Sequence, residues 1–338
     1  MIKLKDIKMY EDYIIEKRRD IHMHPEPGFK EFRTSKLIEE ELIKFGYDVE
    51  TGIGVTGVIG TIVGNKKGKT VLLRADIDAL YMQEENDVPY KSQNDGLMHS
   101  CGHDTHTSML LGAAKYFGDN KDLINGTLKV VFQSAEEGPM PGGGSFVVEG
   151  GYLDDCDAVF GLHITTKYKR GTIHIKKGPA MAAPDEFSID VVGTGTHASA
   201  PQTGNDPVVT ASQIVLALQN IISRNISPTS PAVISVCTIN GGSAFNILPE
   251  KVRLGGTIRT LDKDVRLHIF KRMEETVRHI SEMNGCKSEL NIIKAYPPLI
   301  NDHKMSDFVV GVANELIGKE NVVLLEDCLL YTSDAADE

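Results

Sequence analysis

The chain has 338 residues with 36 basic and 47 acidic side chains, which gives a formal net charge of −11 at pH 7. A single hydrophobic core usually stops growing at roughly 250–300 residues, so we expect two domains. The acidic residues are spread along the chain without a basic stripe. This distribution argues against nucleic acid and anionic membranes as partners.

Short apolar strands alternate with helical segments in the first half of the chain. The sequence predicts helices at residues 6–22, 35–45 and 105–117, and strands at residues 55–63, 70–74, 127–132 and 158–162. This alternation is typical of an α/β fold with a mostly parallel sheet covered by helices.

From about residue 185 the pattern of predicted elements changes. The strands predicted at 186–192, 232–240, 251–260 and 288–295 and the helices at 207–223 and 263–284 follow the order β-α-β-β-α-β. That order is typical of a ferredoxin-like α+β unit. We therefore expect residues 185–296 to form an inserted domain, and residues 1–184 with 297–338 to form the α/β domain. A helix at 304–316 and a strand at 321–325 complete the α/β domain.

The cysteines and the apolar segments indicate the compartment. The five cysteines are an odd number without a CxxC pair, which is unlike a disulfide framework. The first twenty residues lack the apolar core of a signal peptide, and no stretch reaches the roughly 18 apolar residues of a membrane span. We expect a cytoplasmic protein with reduced thiols.

Four groups of polar residues lie beyond predicted strands, at residues 74–78, 99–106, 136–138 and 161–163. Because ligands bind beyond the carboxyl ends of strands in open α/β sheets, we expect these groups to share one site. Asp76 and Asp78 are two residues apart, as are Cys101 and His103, so in extended backbone each pair points one way.

The same groups contain the residue types of a metal centre. Adjacent Glu136 and Glu137 are expected to diverge, which suggests that one binds metal while the other holds a water. Cys101, His103, a glutamate and His163 supply the sulfur, nitrogen and oxygen ligands that zinc and similar divalent ions prefer. A lone cysteine or histidine more often has a packing role. The coincidence of four groups favours a metal-assisted hydrolase with a carboxylate base.

The motifs resemble a known enzyme clan. They are RRDIHMHPEPGFKE, LLRADIDAL, HSCGHDTHTSMLLGAAK, QSAEEG, GLH, GTHASAP, GGSAFNILP and GTIRT, and the resemblance that they belong to covers Arg18 to about Asp327. The sequence resembles the two-domain metal-dependent amidohydrolases of the aminoacylase and carboxypeptidase clan. Within that clan it is similar to hippurate hydrolase, the N-acyl-L-amino acid amidohydrolases and the auxin-conjugate hydrolases.

The resemblance implies a set of roles for individual residues. Two divalent ions, zinc or manganese with cobalt and nickel as further options, are bound by Cys101, His103, Glu137 and His163. Glu136 is the general base, Asp78 orients a metal ligand with some help from Asp76, and His197 stabilises the oxyanion in a neighbouring subunit's site. Asn246 and Arg259 hold the free carboxylate of the substrate.

The implied reaction is hydrolysis of the amide bond of an N-acyl-L-amino acid by a homodimer that associates through the inserted lid domain. Relatives also carry a last metal-binding histidine near the C-terminus that has no counterpart here, and residues 328–338 match nothing expected. We therefore expect a catalytic domain that is incomplete at its C-terminus. Three alternatives remain, namely a dipeptidase or carboxypeptidase of the same clan, an incomplete and weakly active or inactive dimerising fragment, and a Cys101 nucleophile with a histidine base.

Overall fold

The computed structural model describes residues 3–325, which divide into two units. The first unit contains residues up to 172 together with 312–321, and the second contains residues 173–311 together with those from 322 onward. The segment at 328–338, which matched nothing in the sequence analysis, lies outside the described residues.

The first unit is an α/β structure, as the sequence predicts. Its helices are α1 (Leu4–Ile7), α2 (Glu11–Met23), α3 (Phe32–Lys44), α4 (His103–Asp119) and α5 (Gly143–Glu149). Its strands are β1 (Asp48–Ile53), β2 (Gly57–Val63), β3 (Lys66–Asp76), β4 (Asn125–Gln133) and β5 (Ala158–Gly161). The sheet order is β1-β2-β4-β3-β5. Strands β4, β3 and β5 are parallel, whereas β1 and β2 add an antiparallel hairpin beside β4.

Both faces of this sheet are covered. Successive side chains of a strand point to opposite sides, so one strand contributes to the packing on each face. In β4, Val130 and Phe132 join a buried cluster that includes Leu42 of α3 and Leu111 of α4. Val131, between them, faces a smaller cluster on the other side that includes Val147 of α5 and Leu72 of β3. The packing places β4 between α3 and α4 on one face and α5 on the other.

The second unit contains ten strands and two complete α-helices within residues 173–325. Its strands are β6 (Ile173–Ile175), β7 (Gly178–Met181), β8 (Ala183–Val192), β9 (Thr196–His197), β10 (Ala232–Gly241), β11 (Ile247–Leu248), β12 (Lys251–Thr260), β13 (Lys287–Ile293), β14 (Leu299–Asn301) and β15 (Val322–Leu324). Its helices are α6 (Pro207–Asn220) and α7 (Lys263–Met283), and α8 (His303–Ile317) contains the point of division between the units.

The centre of the second unit matches the predicted β-α-β-β-α-β order. Strands β10-β12-β8-β13 form a four-stranded antiparallel sheet, and α6 and α7 pack on it through fully buried side chains such as Ile214, Leu254 and Met273. Asp206 and Asp262 cap the two helices by accepting hydrogen bonds from backbone N–H groups, as short acidic side chains do at this position. The range 185–296 for an inserted lid stays a prediction.

None of the helices between residues 3 and 325 is long and apolar enough to cross a lipid bilayer.

Candidate active site

The polar groups expected to form a site do meet at one edge of the first unit's sheet. Asp76 is the last residue of β3, and Asp78 follows two residues later. His103 begins α4, Glu136 lies three residues beyond β4, and His163 lies two residues beyond β5. Because β3, β4 and β5 are parallel neighbours, their carboxyl ends open onto the same crevice.

His103 is the centre of this arrangement. Its Nδ1 lies 3.0 Å from the backbone oxygen of Asp78 and 3.1 Å from Asp78 Oδ1. Its Nε2 lies 3.7 Å from Asp76 Oδ1. The same Nε2 lies 3.9 Å from Glu136 Oε2 and 3.9 Å from Glu137 Oε1. Three carboxylates therefore surround one imidazole nitrogen.

The environment of this nitrogen fits a bound cation. His103 is fully buried, and its Nε2 makes no hydrogen bond to any of the described residues. Burial opposes protonation of the imidazole, but the carboxylates of Asp76 and Asp78 outweigh it and raise the pKa of His103 well above its ordinary value. The site thus stabilises positive charge at Nε2, and a divalent metal ion supplies that charge while using the nitrogen lone pair.

The neighbouring side chains complete a mixed donor set. The ligand atoms of Cys101, His103 and His163 lie within 4.8 Å of one another, as do those of His103, Glu136 and Glu137. Sulfur, imidazole nitrogen and carboxylate oxygen are the donors that zinc and similar ions use in proteins. The residues present therefore fit a divalent metal centre, and His103 belongs to both groups.

Cys101 and His163 form a close pair, with 3.2 Å between Sγ and Nε2. Burial raises the pKa of the Cys101 thiol to about 11 and lowers the pKa of the His163 imidazole. Both groups are therefore neutral near pH 7, unlike the thiolate and imidazolium of a cysteine nucleophile. A nearby metal cation reverses this preference for the thiol, which is the behaviour of a ligand.

The expectation that Glu136 and Glu137 diverge is wrong. Their carboxylates reach the same nitrogen of His103 because the chain beyond β4 is not extended, and Ala135 has a positive φ of 46°. Burial and the adjacent charge of Glu137 raise the pKa of Glu136 to about 7, although its side chain stays 32% exposed at the mouth of the site. A carboxylate that exchanges a proton near neutral pH suits a general base.

Asp78 connects two of the candidate ligands. Its Oδ1 faces His103, and its Oδ2 accepts a hydrogen bond of 2.9 Å from the backbone N–H of Glu137. The carboxylate is almost completely buried, at 1% exposure. Asp78 thereby holds the His103 ring and the Glu137 backbone in a fixed relation.

Two supporting residues were not assigned roles from the sequence. His106 Nδ1 lies 2.6 Å from Asp76 Oδ1, while its Nε2 accepts a hydrogen bond of 2.9 Å from the N–H of Ile164, next to His163. Both ring nitrogens of His106 thus contact other residues of the protein, so the ring is held in place beside the site. The guanidinium of Arg74 donates to the other oxygen of Asp76 at 2.6 Å.

These contacts also explain the charge on Asp76. Burial opposes its ionisation, but the charges of Arg74 and His103 hold the pKa of Asp76 far below its usual range. One signal for His106 was available in the sequence, since it follows His103 by three residues and therefore shares a face of α4.

The three remaining predicted residues lie in the second unit. His197 in β9 pairs with Ile247 in β11, and the backbone oxygen of Asn246 accepts a hydrogen bond of 2.9 Å from Ala198 N–H. These contacts bring His197 and Asn246 together at an exposed two-stranded sheet formed by β9 and β11. Arg259 lies in β12, where its guanidinium donates to Thr257 Oγ1 at 2.9 Å.

An α/β sheet with a buried imidazole, a thiol and several carboxylates at the ends of its parallel strands is the arrangement of a metal-dependent hydrolase. The comparison with known families agrees. Residues 72–337 match the model of Peptidase family M20/M25/M40, so the chain belongs to this family of amide-hydrolysing enzymes. The match extends ten residues beyond Asp327, where the resemblance to the family was expected to end.

Individual relatives are similar over most of their length. The chain is 45% identical over 317 residues to Thermostable carboxypeptidase 2 of Saccharolobus solfataricus, covering 93% of this chain and 81% of the relative. It is 40% identical over 319 residues to Hippurate hydrolase of Campylobacter jejuni, covering 94% of this chain and 82% of the relative. A crystal structure from Bacillus subtilis, described as a dinuclear metal binding peptidase of the M20 family, superposes with a TM-score of 0.79 at 32% identity, covering 94% of this chain and 82% of that one.

Proposed function

We propose that the protein hydrolyses the amide bond of N-acyl-L-amino acids and releases a carboxylate and a free amino acid. The observation that carries this proposal is the approach of Glu136 and Glu137 to Nε2 of His103, which has no hydrogen-bond partner among residues 3–325. One carboxylate is available as a ligand and the other, whose pKa is about 7, as a base. The similarity to a hippurate hydrolase supports the choice of an acylated amino acid.

The proposed metal ligands are Cys101, His103, Glu137 and His163. Divalent ions at this centre would polarise the substrate carbonyl and make a water molecule more acidic. Glu136 takes a proton from that water as its oxygen adds to the carbonyl carbon, and then gives the proton to the amine nitrogen as the C–N bond breaks. Asp78 keeps the His103 ring oriented throughout. Its carboxylate contacts Nδ1, whereas Glu136 approaches the other ring nitrogen, Nε2.

The proposed substrate contacts come from the second unit. Arg259 can hold the free carboxylate of an acyl amino acid through two parallel hydrogen bonds, with Asn246 as an additional donor. His197, in the exposed two-stranded sheet of β9 and β11, donates to the oxyanion in the site of a second subunit, so we expect a homodimer formed through the lid.

The donor set supports two divalent ions, with zinc or manganese preferred and cobalt or nickel as further options. Similarity to a dinuclear metal binding peptidase supports the number. We also expect the enzyme to work in the cytoplasm, since the cysteines at 101, 156, 237 and 286 form no disulfide among the described residues.

A substrate panel tests the proposal. Purified protein loaded with zinc or manganese is assayed with N-acetyl-methionine, hippurate and several dipeptides, with and without a chelator. The expected result is hydrolysis of the acyl amino acids that a chelator abolishes and added metal restores. Activity that survives complete metal removal would instead support a Cys101 nucleophile.

The second candidate is a carboxypeptidase or dipeptidase activity. It is favoured by 45% identity to a protein named as a carboxypeptidase. An acyl group and an N-terminal residue differ little on the carbonyl side of the cleaved bond, so the same site serves both reactions. Hydrolysis of peptides alone in the panel would replace the first proposal by this one.

A further inference from the structure

Glu31 is a completely buried carboxylate that the proposed reaction does not use. Its exposure is 0%, and its two oxygens contact different segments of the first unit. Oε2 accepts a hydrogen bond of 2.5 Å from the hydroxyl of Thr56, and Oε1 accepts one of 2.7 Å from the backbone N–H of Ala135. Ala135 immediately precedes Glu136 and Glu137, so Glu31 is bonded to the loop that carries both glutamates.

The position of Glu31 at the start of α3 does not explain this side chain. Glu31 is the N-cap residue of α3, but its side chain makes no capping hydrogen bond. Glu26 does the capping, because its carboxylate accepts hydrogen bonds of 2.9 Å from the N–H groups of Arg33 and Thr34. The Glu31 carboxylate therefore contributes to the loop after β4 and not to the helix.

That loop has an unusual backbone that needs external support. The φ of Ala135 is 46°, in the left-handed region that residues other than glycine seldom adopt. The Ser134 hydroxyl donates to Gly54 O at 2.9 Å, and the Ala135 carbonyl accepts a bond of 3.3 Å from Gly143 N–H. Glu31 supplies the partner for the Ala135 N–H, so the turn is held on both sides of the peptide unit.

The segment before Glu31 also touches the same loop. A Cβ built on Gly28 would lie 1.9 Å from the backbone oxygen of Gly138 and 3.0 Å from the Cβ of Ala135. Residues 28–31 and 135–138 are therefore in direct contact, with no room for a side chain at Gly28.

We propose that Glu31 is a positioning residue, which holds Ala135 in its left-handed conformation and so directs the carboxylates of Glu136 and Glu137 to one point. Its reach matters more than its charge. The Ala135 N–H can only donate, so one oxygen must accept at that distance, whereas the Thr56 hydroxyl can either donate or accept. A glutamine satisfies both partners, while an aspartate is one bond of about 1.5 Å too short.

The test compares the kinetics and metal affinity of Glu31→Gln with those of Glu31→Asp. The kinetic part rests on the proposed function, because it uses hydrolysis of an acyl amino acid as the assay. We expect Glu31→Gln to keep kcat close to the wild-type value. Glu31→Asp is expected to lose about 100-fold in kcat with little change in KM, since misplacing a reacting group by about 1 Å has that effect. Its metal affinity, measured by competition with a chromogenic chelator, is expected to fall about tenfold, because Glu137 moves with the loop.

Glu26→Gln is the matched control. It changes a carboxylate in the same segment that bonds to backbone N–H groups but not to the loop of Glu136. We expect it to lower the melting temperature and to leave kcat and metal affinity unchanged. If Glu31→Asp is unfolded at the assay temperature, Thr56→Val replaces it, because valine fills the same space and removes one of the two partners that fix the Glu31 carboxylate. The same pattern, a fall in kcat and metal affinity with KM unchanged, is then expected.

Several outcomes would overturn the positioning role. Equal losses in the Gln and Asp variants, or a larger loss with Gln, would make the charge of Glu31 the important property. Wild-type kinetics and metal affinity in the Asp variant, or in Thr56→Val where it is needed, would leave Glu31 a purely structural residue. If the wild-type protein hydrolyses no acyl amino acid, the proposed function fails, while the metal-affinity comparison still decides the role of Glu31.

Discussion

Replacement of Asp78 by asparagine probes the connection between His103 and Glu137 directly. In the wild-type protein, His103 Nδ1 lies 3.1 Å from Asp78 Oδ1. In the variant, the asparagine carbonyl can still accept the hydrogen bond from the Glu137 N–H, so the asparagine NH₂ group faces His103 Nδ1. A metal at Nε2 requires the imidazole proton to be on Nδ1. In the variant that proton faces the NH₂ donor, and only the backbone oxygen of residue 78, at 3.0 Å, remains as its acceptor. Losing such a support to a metal-binding histidine reduces metal affinity by about 10- to 100-fold.

That range corresponds to about 1.4–2.8 kcal/mol of binding free energy, which a chelator competition assay on metal-free protein resolves. The melting temperature of the metal-free variant is expected to change less than that of the metal-loaded one. Asp20→Asn is the control. It makes the same substitution at a carboxylate whose hydrogen bonds, at 2.8 and 2.9 Å, go to Arg33 and not to His103 or Glu137. Wild-type metal affinity in Asp78→Asn would refute the reasoning, as would equal destabilisation with and without metal.

Three further results are expected. Glu136→Gln should lower kcat by about 10²- to 10⁴-fold, since glutamine cannot carry the proton. Its metal content, measured by elemental analysis, should stay unchanged. A variant with near wild-type kcat would exclude Glu136 as the base. Burial opposes ionisation of Glu41, but hydrogen bonds from Lys44 and Tyr13 lower its pKa, so its contribution to stability is present above the pKa of the unfolded chain and is lost as pH falls through the folded pKa; the difference between Glu41→Gln and wild type in urea unfolding should therefore be largest at about pH 7 and shrink as pH falls below the ordinary glutamate pKa, and a difference that does not change with pH would contradict this. Leu254→Ala, in the fully buried core of the second unit, should reduce the free energy of unfolding by about 2–5 kcal/mol without lowering metal affinity, and a parallel loss of metal binding would show that the centre depends on that unit.

The strands that position the site were readable in the sequence because they are buried. The run at residues 127–132 lies within β4, where alternate side chains enter two cores, so four of its six residues are apolar, including three in a row at 130–132. β1 escaped prediction because its six residues, Asp48–Ile53, are largely exposed at the edge of the sheet. α5 has only seven residues and begins at Gly143, where helix-start signals are weak.

The site was only partly readable for a different reason. The sequence placed Glu136 beside Glu137 but contained no signal that Ala135 turns the chain and brings both carboxylates to His103. Cys101 and His103 come close, yet Gly102 between them is left-handed with φ 84°, so extended backbone is not the cause. Long-range partners such as Glu31, which is 104 residues from Ala135, are fixed by tertiary packing and have no local pattern.

The central claim, that the buried His103 and its neighbours form a two-metal hydrolytic centre, is tested most directly by titrating metal-free protein with zinc or manganese while hippurate hydrolysis is followed. We expect activity to rise with bound metal and to reach a plateau at two ions per chain, and a Cys101→Ser variant to need more metal to reach it. Full activity in the metal-free protein, or binding of metal without any effect on hydrolysis, would contradict the claim.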